Sequence, residues 1–260
     1  DGSWTYFASD MAYHLDKYRR GFSRMINIWG FDHGGYVKRM TSAVSALTQG
    51  DAILDVKLCQ LVSLIRDGQQ LKMSKRSGTF LTLAEVIGEV GRDAFRFFML
   101  TRKNDAPLDF DLTKVLEQSK DNPVYYVQYS HARGKSVMRK ASQIFDESKL
   151  IPEVLAEAEL DLLTDPLEIN LIKTMSSWPK VLEDTANSHE PHRIAYFLID
   201  MASAFHNLWT KGAKQAVQLR FISVENEALT MARLAMVQSY LIVLASGLQI
   251  MGITPVNEMR

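Results

Sequence analysis

The spacing of apolar residues changes character about a third of the way along the chain. Before Thr82 the apolar runs are short. Met25-Ile26-Asn27-Ile28-Trp29 is apolar, carries β-branched residues and is closed by Gly30, which predicts a buried strand. Helical spacing follows over roughly Tyr36 to Leu47. Leu58 to Ile65 alternates loosely and ends at Arg66-Asp67-Gly68, a hairpin-like turn leading into Gln70-Leu71-Lys72. Strand, helix and strand in succession are an α/β pattern.

From Thr82 onward the pattern is helical. Thr82-Leu83-Ala84-Glu85 fits a capping box, in which the hydroxyl and the carboxylate satisfy free amides at a helix start. A short helix is predicted over Arg92 to Thr101, and Asn104 to Asp111, with Pro107 inside, is the best linker candidate. Segments with a period near 3.6 follow over about 113–142, 153–163, 166–187, 191–217 and 224–249. Pro123 is expected to start or kink a helix, because it lacks the amide that a helix interior uses. These patterns predict an α/β part over 1–111 and an all-helical bundle over 112–260.

Composition narrows the class without choosing a function. Hydrophobic residues make up 47% and charged residues 23%, the profile of a soluble globular protein. Lys+Arg and Asp+Glu each count 30, so a nucleic-acid partner would need a local basic patch rather than a basic total. The single cysteine, Cys59, excludes an intrachain disulfide and a Cys-cluster zinc site, and is expected to be a small buried hydrophobe. Nothing in the pattern resembles a signal peptide or a span of about 20 apolar residues, so cytoplasm is the expected compartment and no membrane is an expected partner.

The strongest local chemical signal is Lys72-Met73-Ser74-Lys75-Arg76-Ser77-Gly78. Two ammonium groups three residues apart, with hydroxyls and a glycine between and beyond them, suit a loop that grips a polyphosphate. A second signal lies in the helical part. Tyr125, Tyr129 and Arg133 share one helix face at four-residue spacing, and Arg133, Lys135, Arg139 and Lys140 form the densest basic cluster in the chain. Aromatic faces beside cations are what a single-stranded RNA loop requires, although the same spacing also suits a core helix with a charged outer face. Trp209 with Lys211 and Lys214 is a weaker candidate surface.

Lys72 to Lys75 reads KMSK and resembles the lysine signature of class I aminoacyl-tRNA synthetases, with Arg76 in its fifth position. Residues 1–14, DGSWTYFASDMAYH, resemble a stretch of the arginyl enzymes, as do Trp29-Gly30-Phe31-Asp32-His33-Gly34-Gly35-Tyr36 and Asp121-Asn122-Pro123-Val124-Tyr125-Tyr126-Val127-Gln128-Tyr129-Ser130-His131-Ala132-Arg133. The C-terminal residues Gly252 to Arg260 are similar to the natural end of that family. The chain is thereby identified as resembling arginyl-tRNA synthetases over nearly its whole length.

The resemblance implies a partial Rossmann-like nucleotide-binding domain followed by an anticodon-binding bundle of the DALR type. It implies that Lys75, with Lys72 and Ser74, serves catalysis by stabilising the pyrophosphate leaving group and holding the loop over ATP. Gly30, Asp32, His33 and Met73 would bind ATP or the adenylate, and Tyr6 and Asp10 the arginine. Tyr125, Tyr129, Arg133, Trp209 and Met259 would contact tRNA. ATP and its associated Mg2+ are the implied cofactors, with no metal held by the protein, and arginine and tRNA(Arg) are the implied partners of an expected monomer. An HxGH tetrapeptide, typical of class I enzymes, does not occur here. The chain is therefore expected to be a C-terminal part that cannot activate arginine by itself. A stand-alone tRNA-binding module, another class I synthetase and a helical scaffold without an RNA role remain as alternatives.

Overall fold

The computed structural model describes residues 4–71 and 81–259. Helix α1 (Tyr6–Arg19) leads into strand β1 (Arg24–Gly30), a 3-10 turn (Phe31–Tyr36), helix α2 (Val37–Leu47) and strand β2 (Ile53–Cys59). β1 and β2 pair in parallel, with Met25 opposite Leu54 and Trp29 opposite Leu58. A parallel pair needs a crossover, and here the 3-10 turn and α2 supply it. The buried side of this βαβ unit is formed by Met25, Met40, Val44, Ala52 and Leu54, with Phe7, Trp29 and Tyr36 packed against them. Cys59 ends β2 half-buried rather than fully buried.

Strand β3 (Val62–Arg66) turns into β4 (Gln69–Gln70), with Arg66 opposite Gln69. That register leaves a two-residue loop of Asp67 and Gly68 with φ of 50° and 75°. Both values are positive, as the tight hairpin turn requires, and an Asp-Gly pair meets that demand with little strain. Helices α3 (Leu83–Val90) and α4 (Arg92–Leu100) follow, then strand β5 (Leu108–Asp111) in a sheet ordered β4-β3-β5. The Thr82 capping box is present, with Glu85 Oε2 accepting from the Thr82 amide at 2.6 Å and Thr82 Oγ1 from the Glu85 amide at 3.2 Å.

The expected linker at 104–111 is ordered structure. Asn104 Nδ2 donates to the Leu58 carbonyl at 2.8 Å and the Asn104 carbonyl accepts from the Gln60 amide at 2.8 Å. Leu108–Asp111 then forms β5 rather than coil. Pro107 precedes the strand, where its missing amide removes no ladder bond.

The helical region continues with α5 (Leu112–Leu116), α6 (Pro123–Ala141), α7 (Pro152–Leu155), α8 (Pro166–Ser176), α9 (Trp178–Ser188), α10 (His192–Lys214) and α11 (Glu227–Ile250). Pro123 starts α6, and the buried Asn122 caps it by accepting from the amides of Val124 and Tyr125 while its own amide donates to the carbonyls of Val115 and Glu117. Two expectations fail. The predicted helix over 153–163 is only α7 and a 3-10 turn at Leu160–Leu162, and the one over 166–187 is split at Ser177. Pro179, near the start of α9, has no amide to offer the preceding turn.

α11 is long and apolar enough to cross a membrane by length and composition, but it is a core helix here, packed on α6, α8 and α10. Apolar residues all round a helix are what burial on several sides demands. Phe205, Tyr240, Leu198, Leu234 and Leu244 are fully buried in that core. The chain divides into two compact units, one of 1–63 with 102–109 and one of 64–101 with 110–260.

Candidate nucleic-acid interface and small-molecule pocket

In the helical unit the C-terminal segment after α11 is laid along α6 by side chains of that helix. Gln128 Nε2 donates to the Thr254 carbonyl and its Oε1 accepts from the Val256 amide, both at 2.9 Å. His131 Nδ1 meets the Val256 carbonyl at 2.8 Å, and Arg139 donates to the Asn257 carbonyl at 3.1 Å. At the other end, Arg96 donates to the Met251 carbonyl at 2.7 Å and Asp93 accepts from the Thr254 amide at 3.1 Å. A segment without regular structure thus has its backbone groups satisfied by side chains, which is how a loop keeps one conformation.

That placement completes a cleft of about 460 Å³ lined by Tyr129, Ala132, Arg133, Ser136, Arg139, Lys140, Trp209, Glu258 and Met259. Four of the residues expected to contact RNA, Tyr129, Arg133, Trp209 and Met259, are therefore brought together from α6, α10 and the C-terminal segment. The Arg133 guanidinium lies 4.2 Å from the centroid of the Tyr129 ring and 5.2 Å from that of Trp209. Its Nη2 also donates to the Tyr129 hydroxyl at 3.0 Å. Tyr125 is not in the lining; its ring stacks on Tyr129 at 5.8 Å with 21° between planes. Arg139 also approaches Glu258 at 3.6 Å, so the cationic wall carries one carboxylate. Aromatic faces, a fixed guanidinium and two further cations suit an unpaired nucleotide: the base stacks and the phosphate meets positive charge.

The βαβ unit has a second pocket, about 490 Å³, lined by Asp10, Tyr13, His14, Lys17, Ile26, Asn27, Ile28, Trp29, His33 and Tyr36. Asp10 Oδ2 accepts from the Tyr36 hydroxyl at 3.2 Å. Burial, followed by this hydrogen bond and the Asp10 charge, raises the Tyr36 pKa, which the Arg39 charge opposes. His14 is buried, its Nδ1–H donating to the Asp10 carbonyl at 2.7 Å and its Nε2 accepting from Asn27 Nδ2 at 2.8 Å. The ring thereby ties α1 to β1 and fixes where Asp10 stands. Gly30 ends β1, and a Cβ there would meet Asp32 Oδ1 at 2.6 Å. Asp32 and His33 are exposed, 3.8 Å apart.

The structure does not bring all the expected residues of this pocket together. Tyr6 lies at the start of α1, 92% exposed, and is absent from the lining, although it stands one helical turn from Asp10. Lys72, Met73, Ser74 and Lys75 lie outside the described residues.

A family model for the DALR anticodon binding domain matches residues 127–259, which contain the cleft. The arginine–tRNA ligases of Azorhizobium caulinodans and Rhodospirillum rubrum are each 56% identical over 260 and 261 aligned residues, all of this chain and 44% of each relative. The chain belongs to the family of the DALR anticodon binding domain, and over its whole length it is similar to arginine–tRNA ligases. It thus spans under half the length of the curated relatives it matches. A crystal structure assigned to the arginyl-tRNA synthetase of Campylobacter jejuni superposes with a TM-score of 0.84 at 31% identity, over all of this chain and 53% of that one. The Thermus thermophilus arginyl-tRNA synthetase, 21% identical with a TM-score of 0.74 over 99% of this chain and 50% of its own, shares the fold.

Within this synthetase fold, several residues of both sites escaped the sequence reading. His14, Asn27 and Tyr36 line the smaller pocket without standing out, because a histidine or asparagine in an apolar stretch is more often a satisfied core group. His206 was missed in the same way, although it lies three residues before Trp209 on α10 and so on the same helix face.

Proposed function

We propose that this chain works within an arginine–tRNA ligase, with 1–111 serving amino-acid activation and 112–260 binding the tRNA anticodon. The observation that carries this reading is the cleft in which Tyr129, Arg133, Trp209 and Met259 meet inside the residues matched by the anticodon-binding model. An anticodon loop offers unpaired bases, and the side chains of the cleft are those that stack on bases and neutralise phosphates. Tyr125 backs Tyr129 and holds its ring plane for stacking.

In the smaller pocket the Asp10 carboxylate receives the guanidinium of arginine, with the rings of Trp29 and Tyr36 as apolar walls. A carboxylate that accepts one hydrogen bond from Tyr36 retains lone pairs for a charged, planar donor. Tyr6 joins Asp10 when arginine is bound. Gly30, Asp32 and His33, at the C-terminal end of β1, stand where open α/β sheets bind nucleotides and take the adenylate side of ATP. Lys72, Met73, Ser74 and Lys75 hold the phosphates, and Mg2+ arrives with ATP. The protein acts as a cytoplasmic monomer without a membrane partner.

The test is binding of tRNA(Arg), and of transcripts with altered anticodons, to the 260-residue chain across a salt series. Affinity is expected to depend on the anticodon and to fall linearly on a double-logarithmic salt plot, because each neutralised phosphate releases counterions. Binding that ignores both the anticodon and the salt would remove the reading.

A further inference from the structure

Arg133 is held in the cleft by a residue that does not line it. His206, on α10, is 7% exposed, and its ring lies 4.5 Å from that of Tyr126 and 5.8 Å from that of Tyr129. Its Nδ1 accepts from Arg133 Nη1 at 3.0 Å, and its Nε2–H donates to the Tyr126 carbonyl at 3.3 Å. The carbonyl can only accept and the guanidinium can only donate, so both bonds are made together by one form of the ring, neutral and protonated at Nε2.

We infer that His206 is a positioning residue for RNA binding: its Nδ1 holds the Arg133 guanidinium between Tyr129 and Trp209, presenting a preset cation to an unpaired nucleotide in the cleft. This rests on the reading of the cleft as the tRNA site. One N–H of Arg133 is taken by His206 and one by Tyr129, which leaves the plane of the guanidinium fixed from two directions. A long cationic side chain otherwise loses rotamer freedom when ligand arrives, and ordering it beforehand removes that cost from binding. The neutral ring is suited to the task. Burial lowers its pKa to about 4, the Arg133 charge acts in the same direction, and the Tyr126 carbonyl opposes them.

Two polar replacements separate positioning from packing, with a tRNA(Arg) transcript as the probe and the full chain as the protein. His206→Asn sets a carbonyl oxygen where Nδ1 stands and keeps the acceptor for Arg133. His206→Gln reaches toward Tyr126 and leaves Arg133 without it. The Gln variant is expected to bind about tenfold more weakly and the Asn variant close to wild type, the factor that a hydrogen bond to a charged group carries. In an Arg133→Met background, His206→Gln is expected to change binding no further. Equal loss in both variants, an undiminished loss in the Arg133→Met background, or wild-type binding by the Gln variant would each overturn the inference. Arg133→Met binding tRNA as tightly as wild type would instead overturn the reading of the cleft, and the inference with it. Circular dichroism confirms that each variant is folded; if Gln unfolds the chain and Asn does not, a folded Asn variant with wild-type affinity supports the inference and a weakened one overturns it.

Discussion

Arg233 Nε and Glu168 Oε1 meet at 2.7 Å inside the helical bundle, with 5% and 2% of their side chains exposed. Arg233 Nη1 also donates to the Arg220 carbonyl at 2.7 Å, and Glu168 Oε2 accepts from the Asp165 amide at 3.2 Å as part of the α8 capping box. One ion pair therefore joins the start of α8 to α11 and to the turn before it. Such a pair contributes little over a well-packed apolar replacement, but removing one partner strands the other charge.

Glu168→Leu is expected to destabilise the chain by about 3–5 kcal/mol, whereas Glu168→Leu with Arg233→Met is expected to recover much of the loss. Urea unfolding of the single and double variants measures both. A double variant no more stable than the single one would show that the bundle needs the pair itself.

Two glycines predict opposite outcomes for the same substitution. A Cβ on Gly212, in α10, would stand 2.6 Å from the Leu219 carbonyl oxygen, and backbone cannot move aside as a side chain does. Gly212→Ala is expected to cost about 1–3 kcal/mol through overpacking, more than the gain in helix propensity. Gly88, in α3, has no heavy atom within 4 Å of its would-be Cβ, so Gly88→Ala is expected to stabilise by about 0.5–1 kcal/mol. Thermal unfolding midpoints that move the same way in both variants would contradict this account.

Stability should fall in mildly acidic solution because of two buried histidines. Burial lowers the pKa of His206 from 6.5 to about 4, and burial lowers that of His131 as well, with the Val256 carbonyl opposing and the Lys135 charge assisting. Between about pH 6.5 and 4 the unfolded chain binds a proton that folded His206 refuses. Its contribution is therefore complete above about 6.5 and lost progressively as the pH falls to about 4, a change on the order of 2 kcal/mol after allowance for screening. Unfolding free energies of wild type and His206→Asn at several pH values between 7.5 and 4 isolate this group. Parallel curves would show that His206 does not titrate in that window.

Asp10 should discriminate charge in the smaller pocket. Arginine and its neutral analogue citrulline differ mainly in whether the terminal group is a cation. In a full-length arginine–tRNA ligase made to carry this chain, as the proposed function requires, Asp10→Asn is expected to weaken arginine binding by about ten- to a hundredfold, the range for a lost charge-assisted hydrogen bond. Citrulline binding should change far less. Calorimetric titration of both ligands reads the ratio, and an equal loss for both would place the guanidinium elsewhere.

Much of the local structure was legible in one dimension because its signals are local. Pro123 after Asn122 marks a helix start, Thr82 and Glu85 spell a capping box, and Asp67-Gly68 spells a tight turn; each acts within about four residues. The same locality misled over 153–163 and 166–187, where apolar spacing suggested continuous helices and the chain instead turns at 3-10 segments and at Ser177. Periodicity reports which side of a segment is apolar, not whether its backbone bonds continue.

The residue types of the cleft were determined by the sequence alone: tyrosines and an arginine at helical spacing, a tryptophan elsewhere, and a methionine near the C-terminal end. Only the tertiary structure decided that Met259 and Trp209 stand beside Arg133, because Gln128, His131 and Arg139 bind a C-terminal segment more than 115 residues away in sequence. It also decided that Asp10 shares a pocket with His33 and Tyr36 while Tyr6 faces solvent. Contacts of that kind depend on the balance of burial and hydrogen bonding over the whole fold, which no local pattern carries.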